Sequence, residues 1–473
     1  MRKLVSEFEF RQQGRNIRFI AGAVMIYLLF AAALYSGYRQ YITENKEIRI
    51  AREITYQQWT NQGEKNPHSA AHYGLYAFKS ITPLFIFDKG IEDFLGRAVW
   101  LEAHNQNEVR ISKVKDQGLN GRYGYLTVAF VWQLFIPLLI ILLCFDSVSR
   151  EKENGTIRML FSTGISGSDL LWGKVWACMK LVLYYLVIPM FMICFSVILF
   201  NTEEQKSSIF LHGVFIFLLY CLYFLIWAIF TVYFSTRFSS SATLALLSGI
   251  WIFMGFLLPR ISGTLAGIMV PTPTAFEFTQ AVLEEREKGE DGTRSYEQFQ
   301  EALKQKILTE YGVERTEDLP VSFAGYSLME SELKDWKVYD KHYGKLNSLF
   351  SKQNFIITLI NSLSPVQTQR LVSSAFTYTD LHNHIHFATQ AEQHRRLVQD
   401  ILNEDQLKNG VGKERGYLAS ADLWQKIPDF EFQRKDFSKV FRRQWGNLFL
   451  LIVWITGGAI ILNSSAGRIK YSV

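Results

Sequence analysis

Runs of roughly twenty apolar residues alternate with long polar stretches along this chain, the pattern of a polypeptide that occupies both lipid and water. The runs fall at 19–37, 126–145, 175–200, 209–234, 242–258 and 447–463. Each is long enough to cross a hydrocarbon core of about 30 Å as a helix. The pattern predicts an all-α membrane protein with six transmembrane helices. Two large polar segments remain, 38–125 and 271–444. In the second, Leu333, Trp336, Tyr339, Tyr343, Leu346 and Phe350 recur at spacings of three and four, which predicts a helix with one packing face.

Charge sets the expected orientation, because Lys and Arg near span ends stay in the cytoplasm. Arg2, Lys3, Arg11, Arg15 and Arg18 precede the first run, so residues 1–18 are read as a basic amphipathic cytoplasmic helix. The extended basic region and long apolar run argue for a retained span over a cleaved signal peptide. With six spans the 146–174 loop also lies inside, carrying Arg150, Lys152, Arg158 and Lys174, as do Arg237 and a tail with Arg468 and Lys470. The short outer loop at 201–208 carries Glu203 and Glu204 against Lys206. Both polar segments then form extracytoplasmic insertions, expected to pack as one mainly helical domain.

Composition narrows the classes. The 473 residues are 49% hydrophobic and 15% aromatic yet 20% charged, which excludes both a single soluble globule and a disordered chain. A net charge of +6 suggests nucleic acid, but the basic residues gather at the ends of apolar runs, a placement set by membrane orientation. Cys144, Cys178, Cys194 and Cys221 all fall in or beside apolar runs, which argues against a disulfide framework or a cysteine-based zinc site.

No phosphate-binding G-x-x-x-x-G-K-[ST] motif occurs; Gly410-Val-Gly-Lys413 lacks the first glycine and runs into Glu414. The chain is therefore expected to hydrolyse no ATP itself. His68-Ser-Ala-Ala-His72 has the histidine spacing of a zinc protease without its glutamate base. The most informative segment is the inside loop. There the charged cluster Arg150-Glu-Lys-Glu153 leads through Asn154-Gly155 into a short helix with Ile157, Met159, Leu160 and Phe161, and Ser166-x-x-Asp169 then restarts a helix. A short apolar helix held between two spans suits docking into a groove of a soluble partner; its alternative is a helix lying on lipid.

This loop resembles the coupling-helix region of type 2 ATP-binding-cassette exporter permeases. The elements in common are the cluster Arg150 to Glu153, Gly155-Thr156, Met159 to Phe161, Ile165-Ser166 and Gly173-Lys174, between the second and third of six spans. The N-terminal helix, with Leu4 and Phe8 on one side, is similar to that family's connecting helix. A subfamily with two large extracytoplasmic insertions is resembled through Asn66-Pro-His-Ser-Ala-Ala-His-Tyr-Gly-Leu-Tyr76, Phe94-Leu-Gly-Arg-Ala-Val-Trp-Leu-Glu-Ala-His-Asn-Gln-Asn107, Leu363-Ser-Pro365 and Asp380-Leu-His-Asn-His-Ile-His-Phe387 with Arg395-Arg396. The resemblance implies a bacterial inner-membrane permease with cytoplasmic termini. It implies a dimer with itself or a related permease, two separate ATPase subunits that bind ATP and magnesium, and no cofactor on this chain. ATPase coupling would fall to Arg150, Glu151, Glu153, Thr156, Met159, Leu160 and Phe161. The family also implies a re-entrant turn after the fifth span, within 242–270.

Two further readings concern the outer side. Arg260, after Leu257-Leu-Pro259, is either an interface anchor or a pathway cation for an anionic substrate group. His382, His384 and His386 with Asp380 are the densest set of metal-ligand types. On a helix His382 and His386 share a face, so a metal site there needs outside ligands such as His68 or His72. Besides the permease, a mechanotransmitter acting on an extracytoplasmic protein and an extracytoplasmic metal-handling protein stand as alternative functions.

Overall fold

A computed structural model describes residues 1–109, 126–202, 206–288 and 296–471. The outer-loop Glu203 and Glu204 and the end of the first polar segment lie outside those residues, as does the Lys470 side chain. The described chain is mainly helical, and its one sheet is a two-stranded antiparallel ribbon pairing Leu75–Phe78 with Ala98–Leu101. Among the described residues, six helices are long and apolar enough to cross a membrane: Ile17–Thr60, Val128–Glu153, Gly167–Phe200, Lys206–Ser235, Ser240–Met269 and Phe437–Ile469. The protein thus has the architecture of a multi-pass membrane protein. The second span is the central one, 78% buried by its neighbours, whereas the first, fifth and sixth are 22%, 22% and 17% buried.

Three spans are interrupted at proline, and the local chemistry is the same each time. Proline has no N–H and its ring crowds the carbonyl four residues earlier. Ahead of Pro137, Pro189 and Pro259 the helix widens into one π turn, at Val131–Phe135, Leu183–Val187 and Phe253–Leu257. The three freed carbonyls all find donors from other helices. Tyr223 donates its hydroxyl to the Gln133 carbonyl at 2.7 Å, and Tyr27 donates to that of Tyr185 at 2.6 Å. Arg370 donates a guanidinium N–H to the Gly255 carbonyl at 3.2 Å. Each kink is thereby tied to a neighbour, as backbone in an apolar medium requires.

The Arg370 contact reveals an element that periodicity did not suggest. Pro365–Phe376, within the second polar segment, turns back into the end of the span bundle, with Val366, Thr368, Gln369 and Phe376 almost wholly buried. Ser364 caps it, accepting from the Gln367 amide. The fifth span, by contrast, continues as helix through its π turn to Met269, without the re-entrant turn expected after Pro259. Its carboxyl end meets the 39-residue helix Phe323–Asn361 through Gln353, which donates to the Val270 carbonyl at 2.7 Å.

The first helix runs 44 residues, past its apolar part to Thr60. There Trp59 is buried edge-on against Trp424, and the Trp424 indole donates to Gly63 at 2.7 Å, joining the two polar segments. On Phe323–Asn361 the expected face packs through Tyr339 and Tyr343, against Val282 and Phe278, but not through Leu333. Leu333 is 44% exposed, while Glu332 turns inward with Val338 and Tyr339. There Glu332 meets Arg395 on the Leu381–Asn409 helix, a buried ion pair that fixes its inward place.

Candidate functional site

Two places gather chemistry, one at each end of the bundle. At the end carrying the amino-terminal helix, two short helices precede the third span: Ser149–Glu153, which closes the second span, and Ile157–Ser162. Gly155 at φ +70° and Gly164 at φ +82° take the left-handed conformation that breaks the chain on either side of the second. The charged residues before it are tied to neighbouring helices, although Arg150 and Glu153 stay exposed. Asp146 accepts from Arg18 at 3.1 Å and lies 3.5 Å from Arg150. Glu151 and Glu9 flank the buried Lys174 ammonium at 2.6 and 2.5 Å. Glu153 accepts from the Ser240 amide and hydroxyl at 2.8 and 2.9 Å, so a carboxylate sits at the positive end of the fifth span. The Thr156 hydroxyl donates to the Glu151 carbonyl.

The apolar residues divide differently. Ile157 is buried and anchors the short helix, and Leu160 and Phe161 lie half-buried against the core. Met159 stands 70% exposed beside the exposed Arg158. Of the seven residues singled out in this loop, Met159, Thr156 and the exposed part of Arg150 face outward, while Glu151 and Glu153 serve neighbouring helices. The amino-terminal helix Arg2–Gly14 packs by Val5, Ser6, Glu9 and Gln13, leaving Leu4 and Phe8 outward.

At the other end the structure assembles a histidine cluster. Asn66 caps the short helix Pro67–Tyr73 by accepting from the His68 and Ser69 amides, and the four-residue spacing then stacks His68 and His72 on one face. Their Nε2 atoms are 3.2 Å apart. His104 joins them from the loop after the Ala98–Leu101 strand, so that one ligand nitrogen from each ring lies within 4.8 Å of the others. The His104 backbone is left-handed, φ +61°, a strained setting for a non-glycine residue. Glu332 holds it there, accepting from the His104 amide at 2.8 Å and lying 2.8 Å from Nδ1.

Electrostatics follow from this packing. Burial, then the nearby His104 and His72, pushes the His68 imidazole down to about 4; burial and His104 also lower that of His72. Burial opposes ionisation of Glu332, but the His104 hydrogen bond and the Arg395 charge prevail and hold its carboxyl at about 2. His68 and His104 line a cleft of about 1340 Å³ shared with Arg286, Phe323, Lys334 and Arg415.

His382 and His386 do not join this cluster. His386 Nε2 lies 3.1 Å from the Gln433 carbonyl, and His382 stands among Arg443, Asp380 and Lys435. The Leu381–Asn409 helix that carries them instead sends Arg395 toward the cluster through Glu332. His104 escaped sequence reading because it follows a strand some thirty residues beyond its partners, with no periodic signal. Arg260 lies exposed on the continuation of the fifth span.

Two family models match parts of the chain. One, described as a domain of unknown function (DUF3526), covers residues 275–433, which hold most of the second polar segment. The other, described as a protein of unknown function (DUF2705), covers residues 105–277, which hold the second to fifth spans. No curated protein matches the chain.

Proposed function

We propose that this chain is the membrane subunit of an ATP-binding-cassette transporter, exporting or extracting a substrate with ATP hydrolysed by separate ATPase subunits. The observation that carries the reading is the two-turn helix Ile157–Ser162, anchored behind by Ile157 and presenting Met159 and Arg158 outward between two span helices. On this reading that end is cytoplasmic, the membrane is the bacterial inner membrane, and two ATPases dock on a dimer of permeases. The buried Lys174 and its two carboxylates make the short helices, the amino-terminal helix and the third span one body. Movement of the docked helix therefore moves a span rather than a loop. The free energy comes from the unequal affinity of ATP for the open and closed states of the motor. Arg260, on the outer continuation of the fifth span, offers a cation to an anionic group of the cargo.

The test is co-purification of the tagged chain from its native membrane in mild detergent. Wild type is expected to bring an ATPase, and Met159→Asp to lose it or its stimulation, because a charge replaces an exposed methionine without disturbing packing. Equal ATPase recovery and activity in both proteins would reject the docking role.

A second reading keeps the motor but has it move the outer domain against an extracytoplasmic protein. The Pro365–Phe376 helix favours it, since this piece of the second polar segment is built into the span bundle and follows any span movement.

A further inference from the structure

We infer that His68, His72 and His104 form a binding site for a single divalent transition-metal ion of the zinc class, opening on the neighbouring cleft. Three observations carry this, independently of the transporter reading. First, the three rings converge from two separate elements, with one nitrogen of each within 4.8 Å of the others. The His68 and His72 Nε2 atoms stand 3.2 Å apart. Two nitrogens bound at about 2.0–2.1 Å to a tetrahedral zinc ion lie about 3.3 Å from each other, so this edge already has the length a metal requires.

Second, the third ring is oriented as metal-bound imidazoles are. A ligating histidine donates its other nitrogen to a carboxylate, which fixes the ring and its tautomer. Glu332 plays that part for His104 through Nδ1, leaving Nε2 for the ion. The carboxylate is itself 2% exposed and held by Arg395 and by the Trp336 indole at 2.9 Å. Such support around one ring goes beyond what a surface histidine needs, and it is combined with the left-handed His104 backbone.

Third, the ligand set is incomplete in a useful way. Three imidazoles leave the fourth tetrahedral position open, as in zinc sites that bind water or an exogenous donor. His68 and His104 both border the 1340 Å³ cleft, whose rim also carries Arg286, Lys334 and Arg415. The lining also holds Glu287, Glu317, Asp335 and Glu414, so the open position is accessible to an oxygen or nitrogen donor of either charge entering the cleft. Neutral imidazoles suit zinc, copper and nickel, and disfavour calcium and magnesium.

The experiment uses the full chain in detergent, its affinity tag removed, stripped with EDTA and titrated with Co²⁺ followed by Zn²⁺ competition. One equivalent of Co²⁺ is expected, with the intense visible absorption of tetrahedral coordination, displaced by Zn²⁺. His72→Gln and His104→Gln should abolish the band, and Glu332→Gln should weaken binding by about 10–100-fold, the range for loss of a supporting carboxylate. His386→Gln should bind as wild type. His72 is exposed, so its variant keeps the fold, and size-exclusion elution verifies this. Absence of saturable Co²⁺ binding in wild type, or binding unchanged by His72→Gln, would overturn the assignment. So would a loss in His386→Gln equal to that in His72→Gln.

Discussion

Lys174 offers the sharpest test of how the amino-terminal helix is held. Its ammonium is 1% exposed, 2.5 Å from Glu9 on that helix and 2.6 Å from Glu151 on the loop. Lys174→Met keeps the aliphatic length and removes the charge, leaving two mostly buried carboxylates facing each other. Breaking a buried pair by deleting one partner costs about 3–5 kcal/mol, because the remaining charge stays desolvated. At about 1.4 kcal/mol per tenfold, even the lower figure raises the undocked population of the helix about a hundredfold. Ser6, 2% exposed on the packed face, supplies the reporter. In a Ser6→Cys background, maleimide labelling proceeds only when the helix lifts, so its rate should rise about a hundredfold in Lys174→Met, in line with the population. Adding Glu9→Gln and Glu151→Gln should restore most of the protection. Cys221, half-buried, provides the background rate in the protein lacking Ser6→Cys. A labelling rate changed by less than about threefold would refute the argument, since a pair worth 3 kcal/mol leaves no room for it.

Three further outcomes follow from the geometry. Gly173→Val should lift the same helix, because a Cβ at that position meets Val5 at 2.6 Å; maleimide labelling in the Ser6→Cys background reads it, and an unchanged rate would contradict the close approach. Arg370→Met should destabilise the detergent-solubilised protein by about 1–3 kcal/mol in a denaturant titration, since the buried Gly255 carbonyl loses its donor; unchanged stability would mean that water replaces the guanidinium there. Burial and the nearby Lys79 push the His384 imidazole down to about 4 from 6.5, so the folded state resists a proton that the unfolded chain accepts. Stability should therefore fall as pH drops from 6.5 to about 4, by about 2–3 kcal/mol at most, and His384→Leu should flatten that slope in melts recorded across the interval.

The span pattern was legible because twenty apolar residues in a row have few alternatives in water, and all six helices stand where those runs lie. The polar segments were legible only as mainly helical. The face of Phe323–Asn361 was legible at Tyr339 and Tyr343 but not at Leu333, because the neighbouring Glu332 is turned inward by Arg395 and His104 from elsewhere in the chain. The same reason hid the histidine cluster. His68 and His72 declare themselves by a spacing of four, but His104 arrives through a strand and a left-handed residue, and no local pattern encodes that approach. In the loop, charge and hydrophobicity were visible while direction was not. Arg150, Glu151 and Glu153 look like a docking surface in sequence, and the structure turns the two glutamates toward Lys174 and Ser240.

The proline kinks connect these parts into one mechanical argument. A kinked span is a weak point, since one turn of backbone hydrogen bonding is missing. Here each gap is closed by a side chain from a different helix, and two of the closures converge. Gln133 receives Tyr223 at its carbonyl, while its side chain meets Arg370 at 3.3 Å and Tyr220 at 2.8 Å; Arg370 in turn closes the kink at Gly255. Tyr220 continues to Ser373 on the returning helix, and Ser373 to Asp88 of the first polar segment. The second, fourth and fifth spans and both polar segments therefore share one buried polar network at their common end. A change of tilt in any of the three spans must either move that network as a unit or leave buried polar groups without partners, at about 1–3 kcal/mol each. Keeping the network intact is the cheaper course, and it makes the ends of the three spans and the parts of both polar segments they hold one rigid unit.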